Sequence, residues 1–380
     1  MSTPHSSPRR LGRRLSALAC ALLLTAPLFA ASTPDPRATA LIKELGLQAS
    51  ATASRDLPGW KVPERAVVAL ANAEQLAALQ ASVPEVKLEA AAIAFGLDAQ
   101  LADAQVYIGP CNPATLEAAK SLHWMQAMSV GVERCVGVPG LAERQLVLTN
   151  MQRTSGLPIA EHAIAMMMAL ARGLPQYARH QVDGHWEAEE SDQSGMREIG
   201  GRTLLVVGLG GIGTEVARRA HGLGMRVIAT RNSSREGPDF VSKVGLPDEL
   251  LALAKEADVV VNATPLTPET TGIFNAAFFA AMKPGGYFIN VGRGKSVITD
   301  DLVAALQDDQ LAGAGLDVTE PEPLPDGHPL WSLRNVIITP HVAANSDVQG
   351  DRYWILVAEN LRRYVAGEPL LNVVDIKRGY

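Results

Sequence analysis

Short apolar runs alternate with amphipathic stretches along most of the chain. In the first half, Val67-Val68-Ala69-Leu70, Ala104-Gln105-Val106-Tyr107-Ile108, Trp124–Met128 and Arg144–Thr149 read as buried strands. Helical stretches around Glu74–Leu79 and Thr115–Lys120 stand between them. Alternating βα units predict a parallel sheet, hence a small α/β domain that begins near Ala38.

The second half repeats the pattern more clearly. Strands are expected at Leu204–Val207, Val227–Thr230, Val259–Ala263, Tyr287–Val291, Gly313–Val318 and Val336–Thr339. Helices are expected around Thr214–His221, Asp248–Lys255, Ala276–Ala281 and Thr299–Gln307, which together predict a doubly wound sheet of six strands. Asp300 and Asp301 follow Thr299 and read as first-turn carboxylates rather than an acid pair.

A long helix from Pro158 to Arg172, apolar at Ile159, Ala163, Met166, Met167 and Leu170, reads as the crossing between the domains. Three methionines in a row (Met166 to Met168) cover several helix faces, so they read as packing rather than a soft-metal surface. His180 to Gln193 is polar, carries Trp186, and reads as an exposed arm toward another subunit. Asp347 to Tyr364 is apolar on one face (Trp354, Val357, Leu361) and is expected to return to the first domain. The expected organisation is therefore a discontinuous substrate domain, 38–150 plus 345–380, around a nucleotide domain, 151–344.

Composition narrows the function. A chain of 380 residues, 47% apolar and 19% charged, has the size and balance of a two-domain globular protein. A net charge of -6, with no Lys/Arg cluster beyond the first residues, offers no field for nucleic acid. Cysteine occurs only at Cys20, Cys111 and Cys135, so the body holds at most one disulfide, and nothing in the spacing argues for it. No C-x-x-C or H-E-x-x-H spacing points to a metal.

Residues 1–31 read as a leader rather than fold. Arg9, Arg10, Arg13 and Arg14 form a positive region, Leu15 to Ala30 is apolar, and Phe29-Ala30-Ala31-Ser32 offers small residues for cleavage. An export signal is the first reading, a membrane anchor the second and a mis-assigned start the third; Pro27 and the short run weigh against a span. Export implies a periplasmic location, and otherwise the chain is cytoplasmic. The Arg13-Arg14 pair is compatible with twin-arginine export of a folded, cofactor-loaded chain.

The strongest motif is Leu204-Leu205-Val206-Val207-Gly208-Leu209-Gly210-Gly211-Ile212-Gly213, a strand ending in G-x-G-x-x-G, followed at once by an amphipathic stretch. Glycines also mark ordinary turns, but strand before and helix after are what a dinucleotide site requires. Gly208 allows the tight turn, Gly210 lets backbone approach a pyrophosphate, and Gly213 lets helix and strand pack closely. Gly211 and Ile212 supply amides at the helix start. The position that would carry an acidic residue for NAD is Arg231, followed by Asn232, Ser233, Ser234 and Arg235. Arg pairs with a 2'-phosphate that a carboxylate would repel, so these residues favour NADP(H) over a merely solvated loop. Thr264 and Pro265, after the third strand of this half, are further cofactor-contact candidates.

Three stretches near predicted strand ends carry chemistry: Asn290-Val291-Gly292-Arg293-Gly294, Leu316-Asp317-Val318 through Glu320-Pro321-Glu322-Pro323, and Pro340-His341. Arg293 suits a bidentate grip on a carboxylate. A histidine beside a carboxylate makes an acid–base pair, because the ionised carboxylate stabilises imidazolium and orients the ring. Taken singly, each residue also has an ordinary structural reading.

Together with Pro158-Ile159-Ala160-Glu161-His162, these motifs make the chain resemble the D-isomer-specific 2-hydroxyacid dehydrogenase family, on its glyoxylate/hydroxypyruvate reductase-like branch, over roughly residues 60–375. The resemblance implies a doubly wound Rossmann dinucleotide-binding domain with a smaller flavodoxin-like α/β substrate domain. It implies that Arg293 holds the substrate carboxylate and carbonyl, that Glu322 (rather than Glu320) supports His341, and that His341 exchanges a proton with the carbonyl oxygen. Asp317 would meet the nicotinamide carboxamide, and amides around Val130, Gly131 and Val132 would bind the substrate carboxylate. Glu161-His162 is assigned to structure. The implied protein is a homodimeric, NADPH-preferring reductase of a small 2-oxo acid. Rival readings on the same fold are a nucleotide-sensing corepressor and a formate- or phosphite-type dehydrogenase; Glu322 matches the hydroxyacid branch instead.

Overall fold

Runs of Val, Ile, Leu and Ala too apolar to face water form most of the strands of two parallel sheets. The structure is a computed structural model that describes residues 33–91, 97–186 and 196–380. The leader reading falls on residues outside that set, as does part of the arm after Trp186.

In the first part, helices α1 (Pro36–Leu45), α2 (Ala73–Ser82), α3 (Leu97–Leu101), α4 (Pro113–Ala118) and α5 (Glu133–Val136) alternate with strands. Those strands are β1 (Arg65–Val68), β2 (Lys87–Ala90), β3 (Val106–Gly109), β4 (Trp124–Ala127) and β5 (Val147–Thr149). Then come α6 (Gly156–Ala171), α7 (Leu174–Asp183), β6 (Thr203–Val207), α8 (Gly211–Gly222), β7 (Arg226–Thr230) and β8 (Lys243–Gly245). The chain continues through α9 (Leu250–Ala254), β9 (Val259–Asn262), α10 (Ala276–Ala281), β10 (Gly286–Asn290) and α11 (Thr299–Gln307). It ends with β11 (Leu311–Leu316), β12 (Val336–Ile338) and α12 (Gln349–Val365).

The first sheet runs β2-β1-β3-β4-β5, the flavodoxin-like order. The second runs β12-β11-β10-β9-β6-β7-β8, a doubly wound Rossmann order with the reversal beside β6. Each sheet has one strand more than the sequence pattern predicts. Both additions, β2 and β8, are edge strands whose exposed lysines (Lys87, Lys243) hide them from an apolar-run criterion. The strand expected from Arg144 begins only at Val147, because the Arg144 guanidinium turns away to the carbonyls of Leu116 and Ala119. The helix expected over Asp248–Lys255 is an initial 3₁₀ turn, Pro247–Glu249, followed by the short α9.

Helix α6 lies against the second sheet. Ala163, Met166, Met167 and Leu170 share a core with Val216, Ala220 and Ile289, so the methionines pack, as their spacing indicates. Helix α12 covers the first sheet: Leu356, Val357, Leu361 and Tyr364 join Ala66, Val68, Val106 and Ile108. The Tyr364 ring stacks on Trp124 with centroids 5.0 Å apart. In the same helix Arg362, 5% exposed, is enclosed by Glu359 and Glu368.

The spacing of Cys111 and Cys135 gave no reason for a bond, yet the two form a disulfide, with Cα atoms 5.7 Å apart. The adjacent parallel strands β3 and β4 bring together the segments that follow them, and the bond anchors α5. Among the described residues no single helix is long and apolar enough to cross a membrane.

Candidate active site

The register of the second sheet places its functional loops in one row. Thr230, Val207, Asn262, Asn290, Leu316 and Ile338 are successive Cα partners across β7, β6, β9, β10, β11 and β12. Parallel strands all end on the same edge. The glycine turn, Arg231, Thr264, Arg293, Asp317 and His341 therefore emerge side by side within a few residues of that row, at roughly 4.8 Å per strand.

At the glycine turn, Gly208 has φ 96°, in the left-handed region. A side chain at Gly213 would run into the carbonyl of Gly208, so helix and strand pack at a distance only glycine allows. A Cβ at Gly210 would meet nothing within 4 Å, leaving room for an approaching ligand. Gly210 is the N-cap of α8 and contributes no side-chain cap, so the amides that follow suit a phosphate. These residues fit a dinucleotide.

The loop after β7 separates its two arginines. Arg235 is ion-paired with Glu249, whereas Arg231 donates from Nη1 only to the carbonyl of Glu236, at 3.2 Å. Asn232 donates to the Tyr380 hydroxyl at 3.0 Å, and Ser233 is exposed. Of the cations expected to serve a 2'-phosphate, Arg231 is therefore the one without a carboxylate partner among the described residues. Thr264 is buried, its amide and hydroxyl both donating to Asn262 Oδ1; Pro265 accepts from the Thr270 hydroxyl through its carbonyl.

Asn262 also fixes the Arg293 turn, a role the sequence reading did not assign. Its Nδ2 donates to Asn290 Oδ1 at 2.9 Å and to Ser296 Oγ at 2.7 Å. Asn290 Oδ1 accepts the Gly292 amide, and Asn290 and Ser296 both donate to the Arg293 carbonyl. Polar ends on otherwise apolar strands were the available signal.

Arg293 reaches the first domain. Its Nε donates to Glu133 Oε1 at 2.9 Å and its Nη1 to the Gly292 carbonyl at 2.8 Å. A side chain at Gly131 would collide with Nη2, so the guanidinium lies against the Val130-Gly131-Val132 backbone. That backbone is held by Asn150 Nδ2, which donates to the Val130 carbonyl, and by Ser129 Oγ, which donates to the Gly131 carbonyl, both at 2.7 Å. The cradle segment and the arginine therefore meet. Glu133 was missed because a single glutamate opening a one-turn helix carries no signal of its own. Burial pushes its carboxyl up, but the adjacent guanidinium outweighs that and holds it below the usual range.

On the other side of the row, His341 Nδ1 donates to Glu322 Oε1 at 2.7 Å, a direction set by the carboxylate, which leaves Nε2 facing outward. The pair is half-exposed. Asp317, 3% exposed, lies beneath it and accepts the Thr339 hydroxyl at 2.6 Å and the amides of Val342 and Ala343. Thr339 Oγ1 is in turn 2.9 Å from His162 Nε2, which ties helix α6 to this loop.

The chain matches the family model described as D-isomer specific 2-hydroxyacid dehydrogenase, NAD binding domain, over residues 164–343. It is 35% identical over 268 residues to a glyoxylate reductase of Korarchaeum cryptofilum, covering 70% of this chain and 80% of that protein. It is 33% identical over 257 residues to the human glyoxylate reductase/hydroxypyruvate reductase, covering 67% of this chain and 77% of that one. Among solved structures, an NADPH-dependent glyoxylate/hydroxypyruvate reductase from Sinorhizobium meliloti, in complex with NADP and sulfate, superimposes with a TM-score of 0.71. It is 28% identical, covering 83% of this chain and 100% of that one.

Proposed function

We propose that this chain, which belongs to the D-isomer specific 2-hydroxyacid dehydrogenase family, uses NADPH to reduce a small 2-oxo acid of the glyoxylate or hydroxypyruvate type to the D-2-hydroxy acid. The coarser activity, an NAD(P)-dependent 2-oxoacid reductase, follows from its relatives. The observation that carries the finer reading is the row of strand ends, which sets Arg293 and the Glu322–His341 pair along the same edge as the glycine turn.

The glycine turn and the amides that open α8 would hold the pyrophosphate, with Arg231 beside the 2'-phosphate. When bound, the nicotinamide supplies the hydride. Arg293 grips the substrate carboxylate from its Nη edge, with the Gly131 backbone alongside. His341 Nε2 gives its proton to the carbonyl oxygen, and Glu322, bonded to Nδ1, fixes the orientation of the ring. Asp317 holds the turn that presents the ring, and its Oδ2, which among the described residues accepts the Ala343 amide alone, keeps capacity for a carboxamide. Closure of the two domains would exclude water and strengthen both electrostatic pairs.

Two accessory readings belong to the proposal. A homodimer is supported by the exposed Val182 and Trp186 on and just after α7. Export is supported by the Cys111–Cys135 disulfide, a bond suited to an oxidising compartment, and cell fractionation tests it.

The test of the reaction is a steady-state panel of glyoxylate, hydroxypyruvate, pyruvate, formate and phosphite with each nicotinamide cofactor. Turnover of the first two with NADPH is expected. Cofactor binding with no 2-oxo acid turnover would favour a sensing role instead.

A further inference from the structure

Arg293 meets its substrate already partnered. Its Nε is taken by Glu133 and one Nη1 hydrogen by the Gly292 carbonyl. The Nη2 corner, lying against Gly131, is the part of the guanidinium left for a ligand. Glu133 is only partly exposed, with a third of its side chain accessible, and its backbone is fixed in place. It opens α5, whose Cys135 is bonded to Cys111, and it follows backbone pinned by Asn150 and Ser129.

The charge count then departs from that of a lone arginine. Arg293 and Glu133 sum to zero, and the neighbouring Arg134 is exposed, where solvent screens it. A monoanionic 2-oxo acid can bind through hydrogen bonds to the guanidinium edge. A second negative charge on the ligand faces the Glu133 carboxylate, and the other cation of the proposed site, the His341 ring, already has Glu322 as its counter-charge.

We infer that Glu133 is a specificity-determining residue that makes the site select monoanionic over dianionic 2-oxo acids. The inference deepens the proposed function and rests on its reading of Arg293 as the substrate-carboxylate ligand. Like-charge repulsion at this range in a half-shielded cleft corresponds to about tenfold in affinity or more.

Oxamate and oxalate test it directly, because they share a size and shape and differ by one charge. Their dissociation constants are measured on the full chain saturated with NADPH, for the wild type, Glu133→Gln and Glu133→Asp. Gln keeps the length and an acceptor for Arg293 Nε; Asp keeps the charge. The wild type is expected to favour oxamate, Glu133→Gln to shift the ratio toward oxalate by about tenfold, and Glu133→Asp to stay within about threefold of the wild type. A residue that merely positioned Arg293 would weaken both ligands together. A Gln ratio unmoved from the wild type's, or a wild type that binds oxalate as tightly as oxamate, overturns the inference; the second result needs no variant to fold. Failure of the wild type to turn over any 2-oxo acid would overturn the reaction instead, and the oxamate-to-oxalate ratio would still judge Glu133.

Discussion

The amide of His341 donates to the carbonyl of Asp317 at 2.8 Å, and the Asp317 carboxylate accepts the next two amides, at 3.0 and 3.1 Å. His341 has φ 55°, a left-handed conformation that costs a non-glycine residue on the order of 1–3 kcal/mol. The buried aspartate holds the backbone there. The proposed acid–base residue thus owes its presentation to an aspartate whose carbonyl accepts its amide and whose carboxylate accepts the two amides that follow.

Asp317→Asn keeps the shape but replaces a charged acceptor of three hydrogen bonds. We expect a stability loss of roughly 1–3 kcal/mol. As His341 drifts, kcat should fall by roughly tenfold to a hundredfold. Thermal melts with steady-state kinetics on one preparation check this; full kcat in a destabilised protein would separate Asp317 from catalysis.

Arg231→Asp exchanges the cation at the end of β7 for a carboxylate. The kcat/KM ratio of NADPH to NADH should drop by roughly a hundredfold. Arg235→Ala should change it less, since Arg235 already holds Glu249. Equal effects, or an unchanged ratio in the first variant, would remove Arg231 as the discriminator.

Asp258 joins the start of β9 to its neighbours, accepting the Thr203 amide and Lys283 Nζ at 2.9 Å each, with Arg202 3.5 Å away. Burial pushes its carboxyl up, but the amide and the two cations outweigh it, so the folded value lies below the ordinary 3.8. A lowered folded value means the contribution is complete above the unfolded pKa and lost as pH falls through the folded one. Asp258→Asn should therefore cost roughly 1–3 kcal/mol at neutral pH. The difference from the wild type should shrink below about pH 4. Urea unfolding at both pH values checks it; a gap independent of pH would contradict the assignment.

Buried strands were legible because both faces are covered and their residues are uniformly apolar, as at Leu204–Val207. β2 and β8 were not, since an edge strand that carries lysine looks like loop. The glycine turn, Arg293 and His341 could be picked out because each stands at a strand end with a residue type suited to one task. Glu133 could not, lying 160 residues from Arg293 with nothing local to mark it. The Cys111–Cys135 bond was likewise invisible, because the pairing depends on β3 and β4 being neighbours. Local chemistry shows in sequence; partnerships made across the cleft do not.

The central claim is that His341 supplies the proton to a substrate carbonyl. The direct measurement is kcat of His341→Gln with glyoxylate at saturating NADPH, alongside the NADPH dissociation constant of the same preparation. We predict a fall in kcat of about a hundredfold to ten-thousandfold with cofactor affinity essentially retained. A variant that turns over within about fivefold of the wild type would contradict the account.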